Sequence, residues 1–271
     1  MLAINSDPLL KFSIFPDSEN LYLKHLHEIV ISFIFYNLLA SYVAPKLNSL
    51  IFKRSYNDIK NKKSKIDFDI HTVSMFQAFI SLYILYPTLF LPVNLDITSY
   101  HDDLSSMVAA LSIGYFLWDL SICIKHFSLY GIEFTAHALA SLYIMFVTLK
   151  PLCQHWIGKF LLFEASTPFV NINWYIIQLN GSNKNKVPML INVINGLCLM
   201  AVFFLVRLCW GCIANVLFFK QIWEARSEIP TIRSLILVGL NITLFALNFI
   251  WFSKMIKIAK KLAGKSSVKK A

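Results

Sequence analysis

One histidine and one glutamate stand a single helical turn apart in an otherwise apolar stretch of this 271-residue chain. His137 follows Glu133 by four positions, so on a helix both side chains lie on one face. Imidazole is the side chain here that can serve as a general base or acyl acceptor near neutral pH. The pair is a candidate catalytic dyad. The alternative is that His137 is a hydrogen-bonded packing residue.

Further polar residues recur at helical intervals in neighbouring apolar stretches. Asp119 follows Tyr115 by four positions, and Glu164 begins a series that steps by three, four and three. Ionisable residues inside apolar helices are costly and commonly mark a site. We predict that one enclosed cavity is lined by Tyr115, Asp119, Glu164, Thr167, Asn171, Trp174 and Arg207. The alternative is structural: Asp119 or Glu164 neutralises Arg207, and the neutral polar residues join helices by hydrogen bonds.

The elements that carry these residues must cross a membrane. Hydrophobic residues make up 57% of the chain and charged residues 15%, and the mean hydropathy is +0.60. A soluble domain is nearer a quarter charged, so this composition excludes a water-facing surface. The apolar segments are continuous blocks without period-two alternation, which predicts helices and excludes a transmembrane barrel. The predicted fold class is all-α, a polytopic membrane helix bundle.

Runs with few charges mark about seven transmembrane helices, each near the 20 residues that a crossing needs. The fifth is interrupted by Lys159, Glu164 and Pro168, and Pro168 is expected to open the helix and free backbone groups. The predicted spans are Ile29–Pro45, Ile70–Leu95, Leu104–Ile124, Phe134–Leu149, Trp156–Leu179, Val187–Phe219 and Ser234–Ser253.

The net charge of +10 is concentrated in two segments. The loop Lys46–Asp69 holds seven basic residues against three acidic ones, and the segment from Lys254 onward holds seven lysines and no acid. The loop between the second and third spans carries Asp96, Asp102 and Asp103 without a base. Under the positive-inside rule, the basic loop, the loop with Lys184 and Lys186, and the C-terminus are cytoplasmic, and the N-terminus is lumenal.

The remaining composition predicts few partners beyond lipid. The basic loop and tail are expected to attract anionic lipid headgroups, and a tail without aromatic residues argues against nucleic-acid binding. The five cysteines lie in or beside spans and indicate no disulfide framework. Cys209 and Cys212 form a C-x-x-C without a second ligand pair, so no metal site is predicted. No cofactor is expected, and a homo-oligomer is compatible with the sequence.

Four blocks of sequence, in order, resemble the TLC domain. The first, Lys65–Ala78, is a basic turn leading into a Val-Ser pattern, and the second, Ser112–Leu120, is a Gly-Tyr-Phe-x-x-Asp span. The third, Glu133–Tyr143, is a histidine helix, and the fourth, Glu164–Trp174, contains a Glu-x-Ser-x-Pro-Phe-x-Asn pattern. The family includes the ceramide synthases and the translocation-associated membrane protein, and the likeness is greatest to the TLC domain-containing protein 4 type. The resemblance implies an endoplasmic-reticulum or other endomembrane protein with six core helices around a lipid-accommodating cavity.

The resemblance also divides the chain. Residues 1–64 form a lumenal N-terminus, the first helix and the basic loop; residues 65–257 form the TLC domain; residues 258–271 form a Lys-rich cytoplasmic tail. The chain departs from ceramide synthases at their paired histidines, where it has Ala136-His137, and at their paired aspartates, where it has the segment from Glu164 to Asn171. Gln77 stands where many relatives have histidine.

These departures leave three functions open. The first is support of lipid homeostasis by binding, sensing or moving a lipid within the bundle. The second is an acyltransferase, ceramide-synthase-like or acting on a glycerolipid, that uses acyl-CoA as substrate and His137 as base or acyl carrier. The third is a trafficking receptor or membrane-protein assembly factor whose tail recruits a cytoplasmic partner.

Overall fold

The computed structural model describes residues 6–181 and 187–268, with side chains through residue 260. These residues form helices and loops without a strand. Seven principal helical segments follow the chain: α1 Leu26–Phe52, α2 Lys62–Ile84, α3 Asp103–Lys125, α4 Phe127–Thr148, α5 Thr167–Gly181, α6 Met189–Glu224 and α7 Thr231–Val268. Shorter helices are Leu10–Phe12, Leu21–Lys24, Arg54–Asn57, Tyr86–Leu89, Gln154–Trp156, Ile157–Leu161 and Leu162–Ser166.

Each predicted span overlaps one of these segments, and the all-α membrane bundle is confirmed. Five helices in the described part of the chain are long and apolar enough to cross a bilayer: α1, α3, α4, α6 and α7. The second predicted span, Ile70–Leu95, coincides only in part with α2, which begins at Lys62, carries lysines and aspartates in its first turns and ends at Ile84. The fifth is divided into short helices. The count of seven crossings therefore stays a prediction. Lys184, Lys186 and residues 269–271 lie outside the described residues.

Polar contacts near the ends of helices define two ends of the bundle. Lys24 Nζ lies 2.7 Å from Asp103 Oδ1, which joins the N-terminal segment to the acidic loop at the start of α3. Beyond the other end of α3, Lys63 Nζ donates to Ser128 Oγ at 3.1 Å, and Lys254 Nζ lies 2.9 Å from Glu133 Oε2. A helix of this length spans about 34 Å. The two charge-bearing ends are thus separated by the length of α3, and which of them faces the cytoplasm stays a prediction.

The centre of the bundle is α3, which packs against α1 on one side and α4 on the other. Small residues make the α1–α3 contact possible, because Gly114 lies against Ser32 and the Ile29 carbonyl. Ser32 Oγ donates to the Leu111 carbonyl at 2.6 Å across the same contact. Close approach over small residues with an interhelical hydrogen bond is typical of membrane helices.

The segment before α5 is irregular for a local reason. Pro168 occupies the first turn of α5, where its missing N–H removes no helical hydrogen bond. A 3₁₀ turn, Leu162–Ser166, precedes it. The opening expected at Pro168 is therefore present. In this irregular segment the Phe163 carbonyl accepts hydrogen bonds from Ser166 Oγ at 3.1 Å and from Arg207 Nε at 3.2 Å. Arg207 itself lies in a π-helical stretch of α6, Phe204–Cys209.

Candidate functional site

A cavity of about 340 Å³ lies between α2, α3, α4, α5, α6 and α7. Its lining includes most residues that the polar periodicities single out: Tyr115, Asp119, His137, Glu164, Thr167, Asn171 and Arg207. Apolar side chains from the same helices complete the wall, among them Ile70, Ile122, Phe134, Val170, Phe203 and Met255. Helices from distant parts of the chain thus bring one polar stripe each to a common space.

Arg207 is held by neutral oxygens. Its Nε donates to Ser166 Oγ at 2.8 Å, and its terminal nitrogens donate to Asn248 Oδ1 and Thr167 Oγ1, both at 3.3 Å. Among the described residues no carboxylate lies within 4.0 Å of the guanidinium. The alternative of a direct ion pair with Asp119 or Glu164 is therefore not formed, because the opened fifth segment supplies the acceptors instead.

The two carboxylates of the cavity differ from Arg207 in having no protein partner. Asp119 and Glu164 are both partly accessible on the cavity wall. Neither accepts a hydrogen bond from any residue in ranges 6–181 and 187–268. Carboxylates in an apolar bundle require donors or counter-charges. Their oxygens therefore face the cavity as free acceptors.

His137 also faces the cavity, whereas Glu133 does not. The imidazole packs edge-on to Trp251 with ring centroids 5.6 Å apart, and within the described part of the chain it makes no hydrogen bond. Glu133 instead binds Lys254, with Oε1 and Oε2 at 3.1 and 2.9 Å from Nζ. The predicted Glu133–His137 dyad is thus not formed, because a lysine of α7 engages the carboxylate at the periphery.

A histidine that the sequence analysis did not select completes one wall. His71 Nδ1 lies 2.7 Å from Asn171 Oδ1, and Asn171 Nδ2 donates to Ser74 Oγ at 3.1 Å. Trp174 stacks on the His71 ring with centroids 4.0 Å apart and planes at 21°. Trp174, which is predicted to line the cavity, therefore lies outside the lining and supports the His71 side chain that belongs to it. His71 precedes Ser74 by three positions, which is the signal that could have identified it.

Two other polar residues of α2 and α3 serve packing. Gln77 accepts a short hydrogen bond from the Tyr36 hydroxyl and donates to Ser81 Oγ at 2.7 Å, so it joins α2 to α1. Ser112 Oγ donates to the Val108 carbonyl of its own helix at 2.7 Å. Both side chains are buried and lie outside the cavity lining.

A smaller cavity of about 80 Å³ adjoins the first. The two share Phe116, His137, Glu164 and Arg207 in their walls. The smaller space is lined on its far side by three asparagines, Asn215, Asn241 and Asn248. His137, Glu164 and Arg207 therefore lie between the larger cavity and a smaller, mainly apolar one whose wall includes three asparagines.

Comparison with known proteins agrees with this architecture. The family model of the TLC domain matches residues 67–257. Topoisomerase I damage affected protein 4 of Saccharomyces cerevisiae is 54% identical over 258 residues, 95% of this chain and 92% of the relative. Human TLC domain-containing protein 4 is 32% identical over 228 residues, covering 80% of this chain and 78% of the relative. TLC domain-containing protein 4 C of Dictyostelium discoideum is 27% identical over 267 residues, covering 95% and 93%.

The match covers α2 through most of α7, including every helix that lines the cavity. Together with five apolar helices of membrane-spanning length, it shows that the chain belongs to the TLC-domain family of multi-pass membrane proteins.

Proposed function

We propose that this protein binds a lipid in the cavity between α2 and α7 and thereby supports lipid homeostasis in the endoplasmic reticulum or another endomembrane, with its C-terminus in the cytoplasm. Membership of the TLC family ties the chain to membrane-lipid biology in general. The observation that carries the proposal is the presence of two partnerless carboxylates, Asp119 and Glu164, on one cavity of about 340 Å³.

The size and lining of the cavity fit part of an amphipathic ligand. Pockets that bind small molecules are about 300–1,000 Å³, mostly apolar, with a few placed polar groups. This cavity has that character, because aliphatic and aromatic residues form most of the wall. An acyl chain would contact the apolar wall, and a polar group would lie beside Asp119, Glu164 and His137.

The charges of the cavity wall favour a lipid whose polar group donates hydrogen bonds. Arg207 already donates to four protein oxygens, whereas the two carboxylates accept from no described residue. A lipid hydroxyl or amine would satisfy them, and a lipid that offers only a phosphate would oppose them. We therefore propose a hydroxyl- or amine-bearing lipid as the ligand.

Mass spectrometry of lipid carried by the purified full chain tests the proposal. Wild-type protein is expected to retain one lipid class through purification, and Asp119→Leu or Glu164→Leu is expected to lose most of it. Glu133→Leu is the matched control, because it removes a carboxylate that lies outside the cavity, and it should retain the lipid. Wild-type protein that is folded yet carries no lipid, or equal retention in all variants, would contradict the proposal.

An acyltransferase is a second candidate because the His137 ring lies at the junction of both cavities without a hydrogen-bond partner among the described residues. A neutral imidazole there could accept a proton from an acceptor lipid or take up an acyl group from acyl-CoA. Purified protein with acyl-CoA and sphingoid or glycerolipid acceptors should then form product, and His137→Ala should abolish it. Activity that persists in His137→Ala would exclude this chemistry.

A further inference from the structure

A cluster of side chains that can bind a metal ion lies at the end of the bundle that carries the Lys24–Asp103 pair. Its residues precede the TLC domain in the sequence. Asp7, His25 and Glu28 offer one ligand atom each, and these atoms all lie within 4.8 Å of one another. All three side chains are fully shielded from solvent. The cluster joins the N-terminal segment to the first turn of α1.

Local hydrogen bonds orient the three groups toward one point. Asp7 Oδ1 accepts from the Leu9 and Leu10 amides at 2.7 and 3.1 Å, which leaves Oδ2 facing the cluster. His25 ends the helix Leu21–Lys24. Its Nδ1 lies 3.5 Å from Asp7 Oδ2 and 3.0 Å from Glu28 Oε2.

A neighbouring histidine fixes the segment in this position. His27 Nε2 lies 2.9 Å from the Leu9 carbonyl, two residues after Asp7. The backbone that carries Asp7 is therefore tied to the start of α1 from two sides. The cluster is held by the fold and does not depend on exposed, mobile side chains.

The cluster leaves two carboxylate oxygens unsatisfied. Asp7 Oδ2 and Glu28 Oε1 are buried and make no hydrogen bond to a described residue. Lys24, which precedes His25 in the chain, pairs with Asp103 at 2.7 Å. A buried carboxylate oxygen without a donor or a counter-charge is unfavourable.

We propose that Asp7, His25 and Glu28 bind one divalent transition-metal ion, with Zn²⁺ as the fitting representative. Two carboxylates and one neutral imidazole are a donor set for such an ion, and the dication would offset both negative charges. Bonds of about 2.0–2.2 Å in a tetrahedral site place ligand atoms roughly 3.3–3.6 Å apart. The separations of 3.0 and 3.5 Å from His25 Nδ1 are close to that geometry.

The ion would act as a structural staple outside the lipid cavity. It would hold the segment before α1 against the end of the bundle that also contains the Lys24–Asp103 pair. The sequence analysis predicts no metal site, because Asp7 is separated from His25 by eighteen positions and the spacing matches no common motif. This proposal is independent of lipid binding.

Metal analysis of the full-length protein tests it. The protein is purified in detergent without chelator and with an affinity tag that lacks histidine, and its zinc content is measured by inductively coupled plasma mass spectrometry. After treatment with a chelator, ZnCl₂ is added back and the melting temperature is followed. We expect close to one zinc per chain and a zinc-dependent rise in melting temperature.

Variants separate this site from adventitious binding. Glu28→Gln and His25→Ala should lower the zinc affinity by about tenfold or more. His101→Ala removes an exposed histidine of the loop at the same end and should bind zinc like the wild type. The titration of wild-type protein with ZnCl₂ tests the site even where a variant fails to fold. A wild-type protein whose melting temperature does not respond to ZnCl₂, or a Glu28→Gln variant with unchanged zinc affinity, would overturn the proposal.

Discussion

Arg207 Nε donates a 2.8 Å hydrogen bond to Ser166 Oγ, which ties the π-helical stretch of α6 to the turn that precedes α5. Both residues are buried. This bond places the guanidinium on the cavity wall without a carboxylate partner, and it leaves Asp119 and Glu164 free to face a ligand. The chemistry of the cavity thus depends on the irregular backbone between Leu162 and Pro168.

Replacing Ser166 by Ala should destabilise the protein, because a buried charged donor loses its shortest hydrogen bond. We expect the free energy of unfolding to fall by about 1.5–3 kcal/mol, measured by thermal or chemical unfolding in detergent. Ser121→Ala is the control, since Ser121 Oγ donates only to the Trp118 carbonyl of its own helix and is exposed. A Ser166 variant as stable as the Ser121 variant would contradict this account of Arg207.

Variants of His137 and Glu133 should behave differently in a lipid-retention assay. His137→Leu removes a polar group from the wall of both cavities and should lower the amount of lipid that co-purifies. Glu133→Gln removes a charge that pairs with Lys254 outside the cavity lining and should leave bound lipid unchanged. Equal lipid loss in both variants, measured by mass spectrometry at equal protein stability, would show that Glu133 takes part in the site.

Trp174 should matter to the cavity although it does not line it. Trp174→Leu removes the ring that stacks on His71 at 4.0 Å, so His71 loses the support that holds it against Asn171. We expect reduced lipid retention together with a lower melting temperature, as for loss of an aromatic contact worth about 0.5–1.5 kcal/mol beyond its burial. Trp223→Leu, at a site 68% exposed, should change neither. Normal lipid retention in Trp174→Leu would show that the position of His71 does not matter for lipid binding.

Apolar runs predicted the helices well because membrane spans are defined by composition over a whole segment. The polarity of Asp119, Glu164 and Arg207 also predicts that they face the interior of the bundle, since an ionisable residue in an apolar helix is costly elsewhere. The prediction that their helices meet at one cavity rests on the family resemblance and not on spacing alone. Spacing could not tell whether Glu133 meets His137 or Lys254, because that depends on where α7 packs. It also could not separate Gln77, which faces α1, from Ser74 on the same helix, which faces the cavity.

His126 should make the stability of the bundle depend on pH. Burial, and next the charge of Lys125, lower the pKa of His126 below its usual value of 6.5. The unfolded chain then binds the proton more readily, so the free energy of unfolding contributed by this residue falls as pH drops below about 6.5. His126→Asn should therefore lose less stability than the wild type between about pH 7.5 and about pH 5.5. Parallel melting-temperature curves for the two proteins would show that His126 does not titrate in this way.

A single methyl group added at Gly114 should destabilise the contact between α1 and α3. A Cβ there would lie 2.5 Å from the Ile29 carbonyl oxygen and 2.5 Å from Ser32 Cβ, so α1 and α3 would have to separate. Separation would also break the 2.6 Å hydrogen bond from Ser32 to the Leu111 carbonyl. We expect Gly114→Ala to lower the free energy of unfolding by about 1–3 kcal/mol, as overpacking of a core does.

Two other helical glycines provide the control for Gly114. Nothing lies within 4 Å of a Cβ built on Gly196 or Gly239. Alanine at either should be neutral or stabilising by up to about 1 kcal/mol, because it improves helix propensity without a clash. Ser32→Gly should restore the Gly114→Ala variant only in part, since the Ile29 carbonyl is backbone and stays in place. Unfolding curves in detergent that coincide for all three alanine variants would mean that α1 and α3 are not packed this closely.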